Sequence, residues 1–192
     1  MSETGLGFDA YSYFMTKCVR DDAGVWSVSD EEKDLERDFL GLRYKSLGGL
    51  NDYGASRVVY AEEYAERDGA DVYISSSVDA REQTELELSL YFFASDGTLG
   101  SDAELYASAS GVYHAFMDYL SGGFVVYRDT IRLRRVLMYL SESSEPEKDI
   151  LYGKPYLMCK FTFKNVFGRS FGLDDTTIQD YLGVDALPVY GS

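Results

Sequence analysis

The sequence predicts a mainly β domain, an antiparallel barrel or sandwich with one principal α-helix at about residues 102–121. Three observations carry that expectation. Two long segments, Thr84–Phe93 and 156–167, alternate apolar and polar residues, which sets one face on a core and the other in solvent. Such one-sided alternation belongs to antiparallel sheets rather than to fully covered parallel ones. The chain also carries 17 tyrosines and 11 phenylalanines, rings that fit a pleated, half-buried surface. Finally, the clearest helical spacing of apolar residues falls in one stretch and begins at a capping signal.

Taken in order, residues 9–20 read as an opening strand, with Tyr11, Tyr13, Met15 and Val19, and Asp21-Asp22-Ala23-Gly24 reads as the turn that ends it. The charged run 29–38 has Leu35 as its one apolar residue. Ser29 and Glu32 fit a capping box, so the run is expected to be a short exposed helix or a solvated loop. Strands are expected at 39–46, 57–64 and 72–74, with glycine-rich turns around Gly48-Gly49 and Gly54. In Thr84–Phe93, Leu86, Leu88, Leu90 and Phe92 form the core face. Ser101 and Glu104 then make an S-x-x-E box, and Asp102 and Glu104 suit the positive end of a helix. Leu105, Ala109, Tyr113, Phe116, Met117 and Leu120 recur at helical spacing until Gly122-Gly123 stops it. Residues 124–127 and 131–140 flank Arg128-Asp129-Thr130 as a hairpin. A polar loop is expected at 141–149, then the final strand, with Leu157, Cys159, Phe161 and Phe163 inward. Residues 1–170 thus read as one β-rich domain and 171–192 as an acidic tail, with at most a short helix near 176–182 and fraying at its end.

The formal charge is −15, from 33 acidic and 18 basic residues. Such a surface repels phosphate backbones, which argues against sequence-specific nucleic-acid binding. No apolar run approaches the length of a membrane-spanning helix, and the first residues lack the basic-then-apolar order of a signal peptide. Cys18 and Cys159 are far apart and have no ligand-spaced partners, so two free thiols are expected rather than a disulfide or a metal site. No cofactor motif is present, since Gly5 and Gly7 precede no phosphate-binding helix.

Candidate chemistry is sparse. His114 is the single histidine, and without an orienting partner it reads as partly buried filler beside the apolar positions of the helix, not as an acid–base group. Asp96, Thr98, Gly100, Asp102 and Glu104 place oxygens at alternate positions but lack the acidic density of a calcium loop. Glu85 and Glu87 share a strand face; a carboxylate-based hydrolase would need two acids facing each other across a cleft. Arg132, Arg134 and Arg135 are the densest basic cluster in an acidic chain, and Arg132 and Arg134 are expected on one strand face. The cluster is a candidate subunit interface, accepting Glu85, Glu87 or the 30–34 acids of a second copy. The alternative is pairing within the sheet of one molecule.

The order of Thr84–Phe93, the helix ending YHAFMDYLSGG, the hairpin FVVYRDTIRLRRVLMYL and the strand YLMCKFTFKNVFG resembles phage and prophage tail proteins. The likeness is to the N-terminal domain of distal tail proteins and the related tail-tube fold. It rests on Leu86, Leu88 and Leu90; Phe116, Tyr119 and Leu120; Asp129, Thr130, Arg132 and Arg134; and Phe161 and Phe163. It covers less than half of the chain, and no second, C-terminal sheet domain is identified. The resemblance implies a non-enzymatic structural subunit, made in the bacterial cytoplasm and located in the virion tail. It implies rings, commonly of six copies, that meet one another and other tail proteins, with DNA passing through the lumen. Two other classes compete with it. A carbohydrate-binding module would line a groove with tyrosines such as Tyr44, Tyr53, Tyr60 and Tyr64, and a hydrolase would need converging acids.

Overall fold

The computed structural model describes residues 13–52, 54, 60–63, 70–73, 81–95 and 100–190, the segments 60–63 and 70–73 by their backbone. The protein is mainly β, and its strands pair antiparallel. Strands β1 (Tyr13–Arg20), β2 (Trp26–Asp34) and β3 (Leu42–Gly48) precede a two-stranded hairpin, β4 (Tyr60–Glu63) and β5 (Ala70–Tyr73). Next come β6 (Thr84–Phe93), helix α1 (Asp102–Leu120), β7 (Phe124–Asp129), β8 (Arg134–Ser143), β9 (Glu147–Leu151) and β10 (Lys154–Asn165). A short β11 (Phe171–Gly172) and helix α2 (Thr177–Leu182) end the chain's regular structure. Apart from β4–β5, all strands form one nine-stranded sheet of order β2-β1-β7-β8-β10-β6-β3, with β11 beside β8 and β9 beside β10.

The sheet curls strongly but is not closed into a barrel. Strands β1 and β3 are five steps apart in the order, which in a flat sheet would separate them by roughly 24 Å. Instead the rings of Tyr13 and Tyr44 stack with centroids 3.5 Å apart. Register shifts at Thr16/Cys18, Tyr44/Ser46 and Thr162/Phe163 mark bulges, which add twist and bend where they occur. The inner face holds the main core: Met15, Leu42, the alternating Leu86, Leu88, Leu90 and Phe92, then Tyr127, Val136, Met138, Phe161 and Phe163.

Helix α1 fills the inner face against β6 and β10. Its start is held as the sequence signals: Glu104 accepts the Ser101 backbone N–H at 2.8 Å, answering one of the donors a helix start leaves open. Phe116 sits edge-on to Phe161 at 5.4 Å and to Phe39 at 5.3 Å, and Tyr113 edge-on to Phe92 at 5.5 Å.

Several expectations are corrected. The 29–38 run forms neither a helix nor a loop throughout; its first half continues β2, pairing with β1 from Arg20↔Trp26 to Phe14↔Asp34. Charge is tolerated there because β2 ends the sheet order and one side of an edge strand faces water. The potential capping box at Ser29 yields to the ladder offered by β1. The 141–149 loop shrinks to residues 144–146, and Ser144 itself bonds to β10, donating to Lys160 O at 2.8 Å and accepting from Lys160 N–H at 3.0 Å. Strands β8 and β9 therefore run in line along one side of β10. The expected strands at 57–64 and 72–74 lie partly outside the described residues, and β4 and β5 occupy what is described of them.

The acidic tail does not simply fray. Ile178, Leu182 and Leu187 are buried with Cys18, Val126, Leu137 and Phe171 in a second core on the outer face of β1, β7 and β8. Every second residue of those strands points outward, and Cys18, Val126 and Leu137 are apolar there, so the outer face needs a cover. The tail supplies it.

Candidate assembly surface

The five residues singled out as a candidate interface are placed apart. Glu85 on β6 pairs with Lys164 across the strand, and Glu87 pairs with Lys160 at 3.5 Å. Both are cross-strand pairs within one molecule. Arg132 lies in the β7–β8 turn rather than on a strand, so the expected shared face with Arg134 does not form. The turn is held by Asp129, whose Oδ1 accepts the N–H of Ile131 and of Arg132, each at 2.9 Å. Arg132 then reaches across the seam to Leu47 O at 3.2 Å. Arg134 is half-buried at the start of β8, with Asp129 and Gly172 as its strand partners. Arg135 is buried, paired in register with Arg128, and burial lowers its pKa first, with the Arg128 charge adding to the effect.

The strongest electrostatic feature was not singled out by the sequence. Arg128 of β7 grips Glu32 of β2 with two hydrogen bonds, Nε to Oε1 at 2.9 Å and Nη2 to Oε2 at 2.7 Å. Glu32 also accepts the Tyr190 N–H at 2.8 Å, which pins the C-terminal segment over the pair. The guanidinium stacks on Phe14, 4.1 Å from the ring centroid. Glu32 does belong to the acidic run read as a partner for arginine, but Arg128, outside the predicted cluster, receives it. Residues 32 and 128 share no local pattern, and only the β2-β1-β7 order brings them together.

Tyr13, Tyr44 and Tyr127 gather where the sheet curls on itself, with Asp129 and Arg132 alongside. Burial pushes the Tyr13 phenol from 10.0 up to about 12, with Tyr44 and Asp129 adding to it. Burial likewise raises Tyr44, where Arg132 opposes the shift, and holds Tyr127 well above the ordinary value. The fold therefore favours neutral phenols. The stability they contribute is whole below about pH 10, where unfolded phenols start to ionise, and is lost as pH climbs toward 12. A set of tyrosines is expected to titrate late by absorbance in the folded protein. The denaturation midpoint should fall between pH 9 and pH 11.5, and unchanged midpoints over that range would contradict the shifts.

The remaining surface offers concavities and tips. One concavity, of about 770 Å³, runs between α1 and the β8–β9 link, lined by Tyr106, Tyr113, His114, Glu145 and Lys148 among others. Its tyrosines are engaged: the Tyr106 hydroxyl donates to Asp149 O at 3.0 Å, and His114 lies against the Tyr113 ring at 5.3 Å. Asp149 is the hub of this corner, and its carboxylate, bonded by the Ile150 N–H and the Tyr156 hydroxyl, titrates below the usual range. Of the tyrosines named for glycan stacking, Tyr44 is taken by Tyr13, while Tyr53, Tyr64 and the Tyr60 side chain lie outside the described residues. Asp96 and Thr98 of the calcium-like spacing do too, and Glu104 is occupied by the helix cap. Among the described residues, no group of three or more His, Cys, Asp and Glu side chains is placed to hold a metal ion.

Two hairpin tips stand out because each holds an exposed apolar residue in the left-handed region. Leu133 has φ 53 and is 59% exposed; Tyr152 has φ 49 and is 97% exposed. Tyr152 and Gly153, with φ 49 and 74, form the two-residue turn between β9 and β10, the primed geometry that favours Asn or Gly at both places. Tyr152→Asn is expected to stabilise the monomer by about 1 kcal/mol, since Asn visits this region more readily. A raised denaturation midpoint checks it, and a lowered one would count against the turn geometry.

A comparison with protein-family models finds no match, and a comparison with curated proteins finds none.

Proposed function

We propose that the protein is a non-enzymatic structural subunit of a phage or prophage tail, of tube or distal-ring type, which works by assembling into rings. The observation that carries the reading is the open, strongly curled antiparallel sheet with one helix packed inside it. Its order ends at β2 and β3, strands with a neighbour on one side only among the described residues. A free edge presents unpaired N–H and C=O groups, and strands from adjacent copies would cover it. Contacts between unlike faces close into rings when the rotation per copy divides a full turn. The resemblance read from the strand–helix–hairpin–strand order points the same way. A net charge of −15 suits a lumen along which DNA slides without sticking.

Ring assembly depends on concentration, so a dilute monomer decides nothing. At high concentration, light scattering is expected to give a closed multiple of the 21.6 kDa chain, and negative-stain images to show annuli. A strictly monomeric species there would sink the reading. Carbohydrate binding is the competing reading, and a positive glycan array together with that monomer would favour it.

A further inference from the structure

We propose that the outer face of the sheet carries a binding site for a small tetrahedral oxyanion of the phosphate or sulfate type, held by Arg135 with the unbonded Nη1 of Arg128 as second donor. The inference is independent of the ring reading. It rests on a guanidinium that the fold encloses and leaves unpaired.

Arg135 of β8 is 9% exposed. Among the described residues it makes no hydrogen bond and no ion pair. Glu32 and Asp174 are the acids whose charge reaches it. Both oxygens of Glu32 are taken by Arg128, and Oε2 also accepts the Tyr190 N–H. An enclosed charge without a partner is costly. A lysine or a carboxylate could shed its charge by changing protonation, but a guanidinium keeps its proton in proteins. Burial first, then the Arg128 charge, press against the charged form of Arg135. What relieves that pressure is an anion.

The surroundings fit one. In the sheet Arg135 lies between Arg128 of β7 and Phe171 of β11. Arg128 and Glu32 cancel, so the Arg135 cation is a local surplus in a chain whose total charge is −15. Arg128 holds Glu32 with Nε and Nη2, which leaves the hydrogens of Nη1 without a partner among the described residues. Two neighbouring guanidiniums, one with its whole fork of donors and one with an end nitrogen, match an oxyanion of three or four oxygens better than a planar carboxylate of two. Phe14, 4.1 Å below the Arg128 guanidinium, and buried Phe171 keep the spot apolar, which strengthens attraction there.

The donors are reachable. The fully enclosed polar atoms without a partner are Asp34 Oδ2, Thr84 Oγ1, the Tyr127 hydroxyl and Gln179 Oε1, and no nitrogen of either arginine is among them. With so little of Arg135 exposed, the opening admits a small ion rather than a polymer backbone.

Calorimetric titration of the dilute full chain with inorganic phosphate, at an ionic strength fixed with chloride, tests the site. One saturable site per chain is expected, sulfate should compete for it, and the denaturation midpoint should rise with phosphate. Arg135→Gln should weaken phosphate binding roughly tenfold or more, as for a lost charge-assisted hydrogen bond. Without phosphate that variant should be no less stable than wild type, because it removes an unpaired charge. Arg135→Lys, which keeps the charge and lacks the fork, should bind with intermediate strength. Equal midpoints in phosphate and chloride, or equal binding by wild type and Arg135→Gln, would overturn the site and leave an adventitious ion only. Stabilisation through Arg135 that needs no phosphate and grows with protein concentration would also overturn it, in favour of a carboxylate from a second copy.

Discussion

Replacing Glu32 with alanine is expected to cost about 3–5 kcal/mol, because it strands a buried guanidinium. The Arg128 side chain is 11% exposed and that of Glu32 3%, so water cannot take the carboxylate's place without opening the fold. The loss is compounded by position. Arg135 sits in register beside Arg128, and without Glu32 two buried cations would face each other with less negative charge between them. The same substitution frees the Tyr190 N–H, loosening the segment that crosses the pair. A denaturant titration measures the loss. The converse experiment separates charge from packing: a Glu32→Leu, Arg128→Met double variant should recover much of the loss, since apolar replacement of an entire buried pair is often neutral. A single-variant loss under 1 kcal/mol would mean that the pair is solvated in solution.

Legibility in the sequence followed the range of each interaction. Strands β6 and β10 were readable because alternation is a local record of which face is covered, and α1 because its cap and apolar stripe are both local. The Asp21–Gly24 turn was readable for the same reason, and its Gly24 N–H to Asp21 O bond is 3.0 Å. By contrast, β2 was misread because its composition is set by solvent on one side and by one distant arginine on the other. Five charged residues in nine hide a strand when only Glu32 and Asp34 of them are buried. The short helix expected near 176–182 is α2, but the packing of the tail was not legible, because its apolar residues are thinly spaced: Ile178, Leu182 and Leu187 make no convincing pattern until the outer face of β1, β7 and β8 is known. Among candidate site residues, pairing within the sheet was the alternative for the arginine cluster, whereas Glu85 and Glu87 pair within the sheet with Lys164 and Lys160, partners the sequence reading did not name. Tyr152 was passed over, since an aromatic in a Y-G turn looks ordinary until its backbone angle and exposure are seen.

Phe116→Ala is expected to be the most damaging single change in the apolar core, at about 3–5 kcal/mol for a fully enclosed phenylalanine. Phe116 is the ring through which α1 is joined to the sheet. It touches Phe92 of β6 at 6.1 Å and Phe161 of β10 at 5.4 Å, and Phe39 from the β2–β3 connection at 5.3 Å. Each contact is edge-on or tilted, the arrangement that adds to simple burial. Helix α1 fully buries only Ala109, Phe116 and Leu120, with Tyr113, Met117 and Tyr119 packed partly buried beside them, and Gly111 weakens its middle. Removing the ring should therefore detach the helix before it unfolds the sheet. Hydrogen exchange would show it: amides of α1 lose protection by more than those of β6 and β10, and Phe116→Leu, leaving a smaller void, loses less. Uniform loss across helix and strands would instead mean that α1 and the sheet unfold as one unit.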